Sequence, residues 1–351
     1  MPLENNIPRD TGRAPRARGR VLSVGRVTSA LAALVIGLFA MTAGAGASTA
    51  VPEPSTGTAG FSTIFTHGRV TVDGGSTLHY VKGGSGPAIV LMHGWPQTWW
   101  IWRNVMPELA KTHTVIAFDL PGLGDSTPQN GGYDKATTAK RIHQAVVKLG
   151  FNSVALLGHD LGALIAYPYA RDFPNEVTKI GVMETPLAGF GLENLYGISF
   201  HFKFNMAPAP IPETILDNDD VPTYLGHMFG FSTHPELIDK TAYYAAYSSP
   251  TKRSSGYEYY RAFAADGVNN TANASRRLTQ PVLALGGANS FGPGVADSFR
   301  LVADDVHQVI VPDSGHYIPE ENPTFLSDCA KLFFGPPTTT PPPASLAACA
   351  P

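Results

Sequence analysis

The feature that most constrains this chain is a series of short apolar runs: Ala88 to Met92, Val115 to Phe118, Val154 to Leu157, Ile180 to Met183, Val282 to Leu285 and Gln308 to Val311. A half-exposed strand alternates apolar and polar residues, whereas a strand covered on both faces stays apolar throughout, so such runs predict a parallel sheet between helical layers. Helix-forming stretches such as Thr137 to Leu149 and Ala163 to Ala170 lie between them, which gives the β-α-β rhythm of an α/β fold. Ahead of the runs, Phe65 to Tyr80 alternates around Asp73-Gly74-Gly75, the pattern of an opening hairpin. From Pro186 to Arg277 the rhythm stops; Tyr, Phe and Met recur there at helical spacing, with no β-rich run before Val282. That segment predicts a helical cap inserted into the sheet domain, closing over the carboxyl ends of the strands, where open α/β sheets place ligands. The expected organisation is a core over 60–185, a cap over 186–277 and the rest of the core over 278–335.

The two ends differ from this middle. Within residues 1–50, Arg9, Arg13, Arg16, Arg18, Arg20 and Arg26 precede the apolar run Ala30 to Met41 and the small residues Thr42 to Ala50. Basic, apolar and small segments in that order predict a secretory signal cut near Ala47 or Ala50, and hence a secreted or periplasmic protein without stable membrane insertion after cleavage. An overcalled start codon or an uncleaved anchor are the alternatives, although the apolar core is short for a bilayer span of roughly 20 residues. Residues 336–351 read as a disordered Pro/Thr-rich tail. Cys329 and Cys349 are the only cysteines. They exclude a disulfide framework or a cysteine metal cluster, and either pair to pin the tail or stay as free thiols. A net charge of -3 lacks the basic surplus that nucleic-acid binding requires.

The strongest chemical signal is Gly158-His159-Asp160-Leu161-Gly162, directly after one apolar run and directly before a helix-forming stretch. Flanking glycines permit a tight turn that lifts the central side chain above the sheet. Here that side chain is a carboxylate. Attack by a carboxylate on a saturated carbon leaves an ester whose carbonyl belongs to the enzyme and can be hydrolysed, while a serine would be left as an inert ether. The plain alternative is an aspartate capping the helix. His93-Gly94-Trp95-Pro96 follows the first buried run, where the N–H groups of Trp95 and Leu161 would form an oxyanion hole. Asp313-Ser314-Gly315-His316-Tyr317 follows the last run and offers His316 as general base. His159 reads as a neighbour without a catalytic role, and His67, His79 and His307 as surface or structural residues.

In these motifs and their order the sequence resembles the epoxide hydrolases of the α/β-hydrolase superfamily, and among them the secreted bacterial Cif-type enzymes. The likeness runs from about Phe65 to Phe334 and includes Met183-Glu184-Thr185-Pro186, Phe200-His201-Phe202 and Glu258-Tyr259-Tyr260-Arg261. It implies an α/β-hydrolase fold, no organic cofactor and no metal. Gly286-Gly287-Ala288-Asn289-Ser290 lacks the acid that most relatives carry there. The Cif-type pattern instead implies Glu184 as the residue orienting His316, with Asp297 the main competitor. It also implies Tyr260 and His201 as donors to the epoxide oxygen, against Tyr259 as the neighbouring tyrosine and against a packing role for His201. Asp119 and the tryptophans Trp99, Trp100 and Trp102 read as structural.

The resulting expectation is conversion of a small-molecule epoxide to a vicinal diol through an ester on Asp160. A haloalkane or haloacetate dehalogenase uses the same aspartate. Fluoroacetate-cleaving enzymes, however, carry arginines one and four residues beyond the nucleophile, where this chain has Leu161 and Leu164, and a tryptophan where it has Phe202. A ligand-binding protein on a hydrolase scaffold is the third reading. The aromatic-rich cap offers a surface for a homodimer.

Overall fold

In the computed structural model, residues 61–337 and 339–351 are described; the expected signal segment, 1–50, lies outside them. The sheet has eight strands in the order β1-β2-β4-β3-β5-β6-β7-β8. β1 (Phe65–Thr71) and β2 (Thr77–Gly84) form the opening hairpin, paired antiparallel from Phe65 opposite Gly83 to Thr71 opposite Thr77. Its turn places Gly74 and Gly75 at φ 79° and 76°, a region glycine enters without steric cost. β3 (Ala88–Met92), β4 (Thr114–Phe118), β5 (Val154–His159), β6 (Val177–Met183), β7 (Val282–Gly287) and β8 (Val306–Val311) run parallel to one another. Every residue of β3, β5 and β7 is buried, which is why their sequences do not alternate. At the far edge β8 is less covered, with Val309 and Val311 buried and Ile310 exposed.

Helix Lys135–Lys148 starts where the Asp134 side chain accepts the Thr137 N–H at 2.8 Å, and helix Leu161–Asp172 starts at Asp160 itself. Both open a turn or less ahead of the apolar stretches that predict them, because N-terminal turns draw on capping groups rather than on apolar periodicity. Between β6 and β7 the described residues contain helices at Phe200–Asn205, Ile211–Ile215, Val221–Phe229, Lys240–Tyr247, Pro250–Arg261 and Phe263–Ala272, and no strand. Among the described residues no helix is long and apolar enough to cross a membrane.

The tail differs from the expected disorder. Cys329 in helix Pro323–Phe334 is bonded to Cys349, their Cα atoms 5.1 Å apart, and both side chains are buried. The turn Ala344–Cys349 packs against that helix and β8. A polar composition cannot supply a core of its own, but this segment borrows one, through the covalent tie and the contact of Leu346 with the main core.

Candidate active site

The turn after β5 is shaped by what its glycines exclude. A Cβ on Gly162 would lie 2.0 Å from the Met92 carbonyl oxygen, one on Gly158 2.3 Å from the Gly162 oxygen, and one on Gly94 2.4 Å from Asp160 Cβ. Asp160 itself sits at φ 51°. This strained conformation is held by its N–H on the Met183 carbonyl and by its own carbonyl, which accepts the N–H groups of Ala163 and Leu164. Among the described residues, the non-glycine positions with positive φ are Asp160, Glu184 and Asp313, all on loops at the carboxyl ends of the strands.

The Asp160 carboxylate accepts the Trp95 N–H on Oδ1 at 2.9 Å. Burial raises its pKa above the ordinary carboxylate range; the His316 charge and backbone hydrogen bonds from Trp95 and Leu161 act in the opposite direction. Oδ2 lies 3.9 Å from His316 Nε2, too far for a hydrogen bond. On the other side of the imidazole, Nδ1 is 3.2 Å from Glu184 Oε2. Glu184 is fully buried, and its second oxygen accepts the Gly287 N–H. Although burial disfavours the imidazolium, the Glu184 hydrogen bond and charge, followed by the Asp160 charge, hold the His316 pKa above its usual value. Asp297 lies on the surface in an ion pair with Arg300 at 2.7 Å and takes no part in this triad.

The cavity above Asp160 measures about 880 Å³ and also exposes Trp95, Glu184, His201, Tyr260 and His316. Tyr260 enters from helix Pro250–Arg261, its ring among Trp95, Phe202 and Phe263 at 5.6, 5.4 and 5.0 Å. Burial and then the Asp160 charge push its pKa far up, so the hydroxyl stays a donor. The neighbouring Tyr259 turns away and donates to the Pro121 carbonyl at 3.0 Å. His201 lies beside Tyr260 with ring centroids 5.9 Å apart, and its Nδ1 is 2.7 Å from the Ser199 hydroxyl. Burial, reinforced by the His316 and His227 charges, pushes its pKa down to about 3, so it is neutral. The tautomer in which Nδ1 accepts from the Ser199 hydroxyl would carry its proton on Nε2.

The remaining sequence assignments also find places. The buried Asp119 carboxylate accepts the Trp99 and Asp125 N–H groups at 2.8 and 2.9 Å, tying together the turns after β3 and β4. Trp99, Trp100 and Trp102 are buried in the core and do not line the cavity. His159 has a job that its sequence position hides: Nε2 donates to the His316 carbonyl at 2.7 Å, steadying the base loop. Neither the Gly287 N–H nor Asn205, which accepts the Tyr224 hydroxyl at 2.6 Å, stands out in the sequence. Backbone donors carry no sequence signature, and a single asparagine in an aromatic helix carries little.

A nucleophile-elbow carboxylate over a mostly parallel sheet, with an acid-oriented histidine on the last loop, defines an α/β hydrolase. The family model for the alpha/beta hydrolase fold matches residues 87–323. A soluble epoxide hydrolase of Corynebacterium sp. (strain C12) is 35% identical over 285 residues, covering 78% of this chain and 99% of its own length. The solved structure of the unliganded epoxide hydrolase CorEH aligns with a TM-score of 0.72 at 33% identity, covering 78% of this chain and 99% of that one. A fluoroacetate dehalogenase of Burkholderia sp is 33% identical over 172 residues, which is 46% of this chain and 57% of the relative. The chain belongs to the α/β-hydrolase family and, within it, to the epoxide hydrolases.

Proposed function

We propose that this protein hydrolyses a neutral epoxide to a vicinal diol through a covalent ester on Asp160. The observation that carries this reading is the setting of one carboxylate: Oδ1 accepts the Trp95 N–H, Oδ2 lies 3.9 Å from His316 Nε2, and the residue lines the cavity. In the first step Oδ2 forms a bond to an epoxide carbon as the ring C–O bond breaks. Tyr260 gives its proton to the departing oxygen, and neutral His201 donates a hydrogen bond from Nε2. In the second step water attacks the ester carbonyl carbon while His316 Nε2 takes one of its protons. Glu184 steadies the imidazolium, and the Trp95 and Leu161 N–H groups hold the oxyanion. Collapse expels the diol oxygen, which takes the His316 proton. The water's other proton leaves the regenerated carboxyl and returns to Tyr260.

Neutral substrates are favoured because no lysine or arginine lines the cavity among the described residues. Leu161 and Leu164 are buried apolar side chains, so a haloacetate carboxylate would meet no guanidinium fork. Glu184 as orienter and the His201/Tyr260 pair are the features that align the site with the Cif-type pattern. Secretion follows from the basic-apolar-small order of residues 1–50 and is tested by sequencing the mature N-terminus after expression in a bacterium. For the chemistry, a His316→Ala protein is mixed with a styrene-oxide analogue and weighed intact. It should gain the mass of one epoxide, and Asp160→Asn should not. Diol formation by Asp160→Asn at the wild-type rate, or preferential turnover of fluoroacetate by the wild type, would overturn the proposal.

A further inference from the structure

The catalytic groups account for His316 through its ring, but its backbone is held by a residue outside that set. Glu321 ends the short helix Ile318–Glu321 that follows the base loop, and it is only 7% exposed. Its Oε1 accepts the Tyr317 N–H at 2.7 Å and its Oε2 the Gly315 N–H at 2.9 Å, so one carboxylate grips the chain on both sides of His316. Oε2 also accepts the N–H groups of Thr233 and His234, at 2.7 and 3.2 Å, from the cap segment that follows helix Val221–Phe229. That segment belongs to the cavity: Phe231, Ser232 and Thr233 line it, and the Phe231 carbonyl accepts the His316 N–H at 3.1 Å. The approach is close enough that a Cβ on Gly315 would lie 2.6 Å from the Phe231 oxygen and 2.7 Å from the Thr233 nitrogen. Hydrogen bonds from neutral donors to an ionised acceptor are about twice as strong as neutral ones, and leaving such donors buried without an acceptor is costly.

We infer that Glu321 is a positioning residue for the hydrolytic step, fixing His316 over the Asp160 ester by clamping the base loop to the rim of the cap. The inference rests on the two-step reading above. It separates the steps because Asp160 is placed without Glu321, through Trp95, the Met183 carbonyl and the turn glycines. In Glu321→Gln one oxygen becomes an NH₂ group facing backbone N–H donors, so the clamp must open on one side. Misplacement of a reacting group by an ångström is worth on the order of 100-fold in rate.

The test compares steady-state constants and the trapped ester in wild type, Glu321→Gln and Glu321→Asp, with His316→Ala run alongside. Slowing only the second step lowers kcat and KM together and leaves kcat/KM nearly unchanged, because kcat/KM reports the attack by Asp160. We expect Glu321→Gln to lose about 10- to 100-fold in kcat, to lose a similar factor in KM and to accumulate the ester on Asp160. Glu321→Asp keeps the charge and should fall between it and wild type; if the glutamine protein does not fold, the aspartate protein carries the comparison. An unchanged kcat, or a lower kcat with wild-type KM and no added ester, overturns the inference, since simple loss of folded protein gives the second pattern. If His316→Ala itself shows no ester, the two-step reading fails instead, and with it the basis for assigning Glu321.

Discussion

At the sheet end of the cavity the proposed reactive groups are fixed by backbone, whereas at the cap end they are wedged among rings. Asp160 and Glu184 occupy positive-φ positions at the ends of adjacent strands and bind main-chain N–H groups, and His316 is held through its N–H, its carbonyl and its Nδ1. Tyr260 and His201 project from helices, and their rings contact Trp95, Phe202, Phe231 and Phe263. Main-chain hydrogen bonds set an atom's position within a few tenths of an ångström, whereas packed rings fix a plane and leave more freedom along it. The sheet end therefore suits bond-making, and the cap end suits stabilising an oxygen whose position varies with the substrate.

The sharpest way to break this comparison is to remove one group from each end. Asp160→Asn keeps the shape of the side chain and the Trp95 contact but loses the nucleophile, so turnover should fall by about four or more orders of magnitude, measured as diol formed per enzyme. Tyr260→Phe leaves the ring packing intact and removes one donor, which should cost about 100-fold in kcat/KM with the same substrate. Equal losses would mean that the cap tyrosine is as indispensable as the carboxylate, and the division of labour would be wrong.

A pH profile sharpens the comparison further, with a smaller effect. The groups facing His316 are Glu184, Asp160 and Glu321, which favour its charged form, and His159 and His201, which are driven neutral by burial. In the proposed mechanism, esterification removes the Asp160 charge. One of the groups raising the His316 pKa is then lost, so the imidazole should be neutral, and competent as a base, at lower pH in the ester than in the free enzyme. The acid limb of kcat should therefore lie below the His316 pKa measured by NMR in the unreacted protein. Attack requires ionised Asp160, whose pKa is raised by burial, so kcat/KM should fall as pH drops through that value. Coincidence of the kcat limb with the free-enzyme His316 titration would show that the Asp160 charge is not felt at the imidazole.

The same contrast explains what could be read from the sequence. Strand-end chemistry is written in local motifs, because a glycine-flanked carboxylate between a buried run and a helix has few other uses. Asp160, Trp95 and His316 can thus be nominated from residue type and spacing, and they meet at one cavity. Glu184 needed the family resemblance, since nothing in Met183-Glu184-Thr185 says that a chain distant by more than a hundred residues will bring His316 to it. Glu321 carries no signal in the sequence, because an acid in a short helix after Pro319 looks like an ordinary solvated residue. For the tail, composition points to disorder and the cysteine pair to a tether, and the described residues carry the Cys329–Cys349 bond with Cys349 buried. Choosing between Tyr259 and Tyr260 was beyond periodicity altogether, since adjacent residues on a helix differ by roughly 100° and either could face the cavity.

That last ambiguity supplies the smallest expected effect and the most discriminating control. Tyr259 is as buried as Tyr260, but its hydroxyl donates to the Pro121 carbonyl and its ring packs edge-on against Tyr133 at 5.1 Å, away from the cavity. Its carbonyl accepts a hydrogen bond from Lys135 Nζ at 2.6 Å, a contact that survives loss of the side-chain hydroxyl. Tyr259→Phe should therefore cost about 1 kcal/mol of stability, the usual value of one buried hydrogen bond, read as a lower midpoint in urea unfolding. Its kcat/KM should stay within about threefold of wild type, because a lost structural hydrogen bond far from the reacting atoms leaves the transition-state contacts in place. Two neighbouring tyrosines, each losing one oxygen atom, would then separate cleanly into a stability effect and a rate effect. If Tyr259→Phe instead proves the slower enzyme, helix Pro250–Arg261 presents its other face to the substrate, and the ring-opening donor must be reassigned.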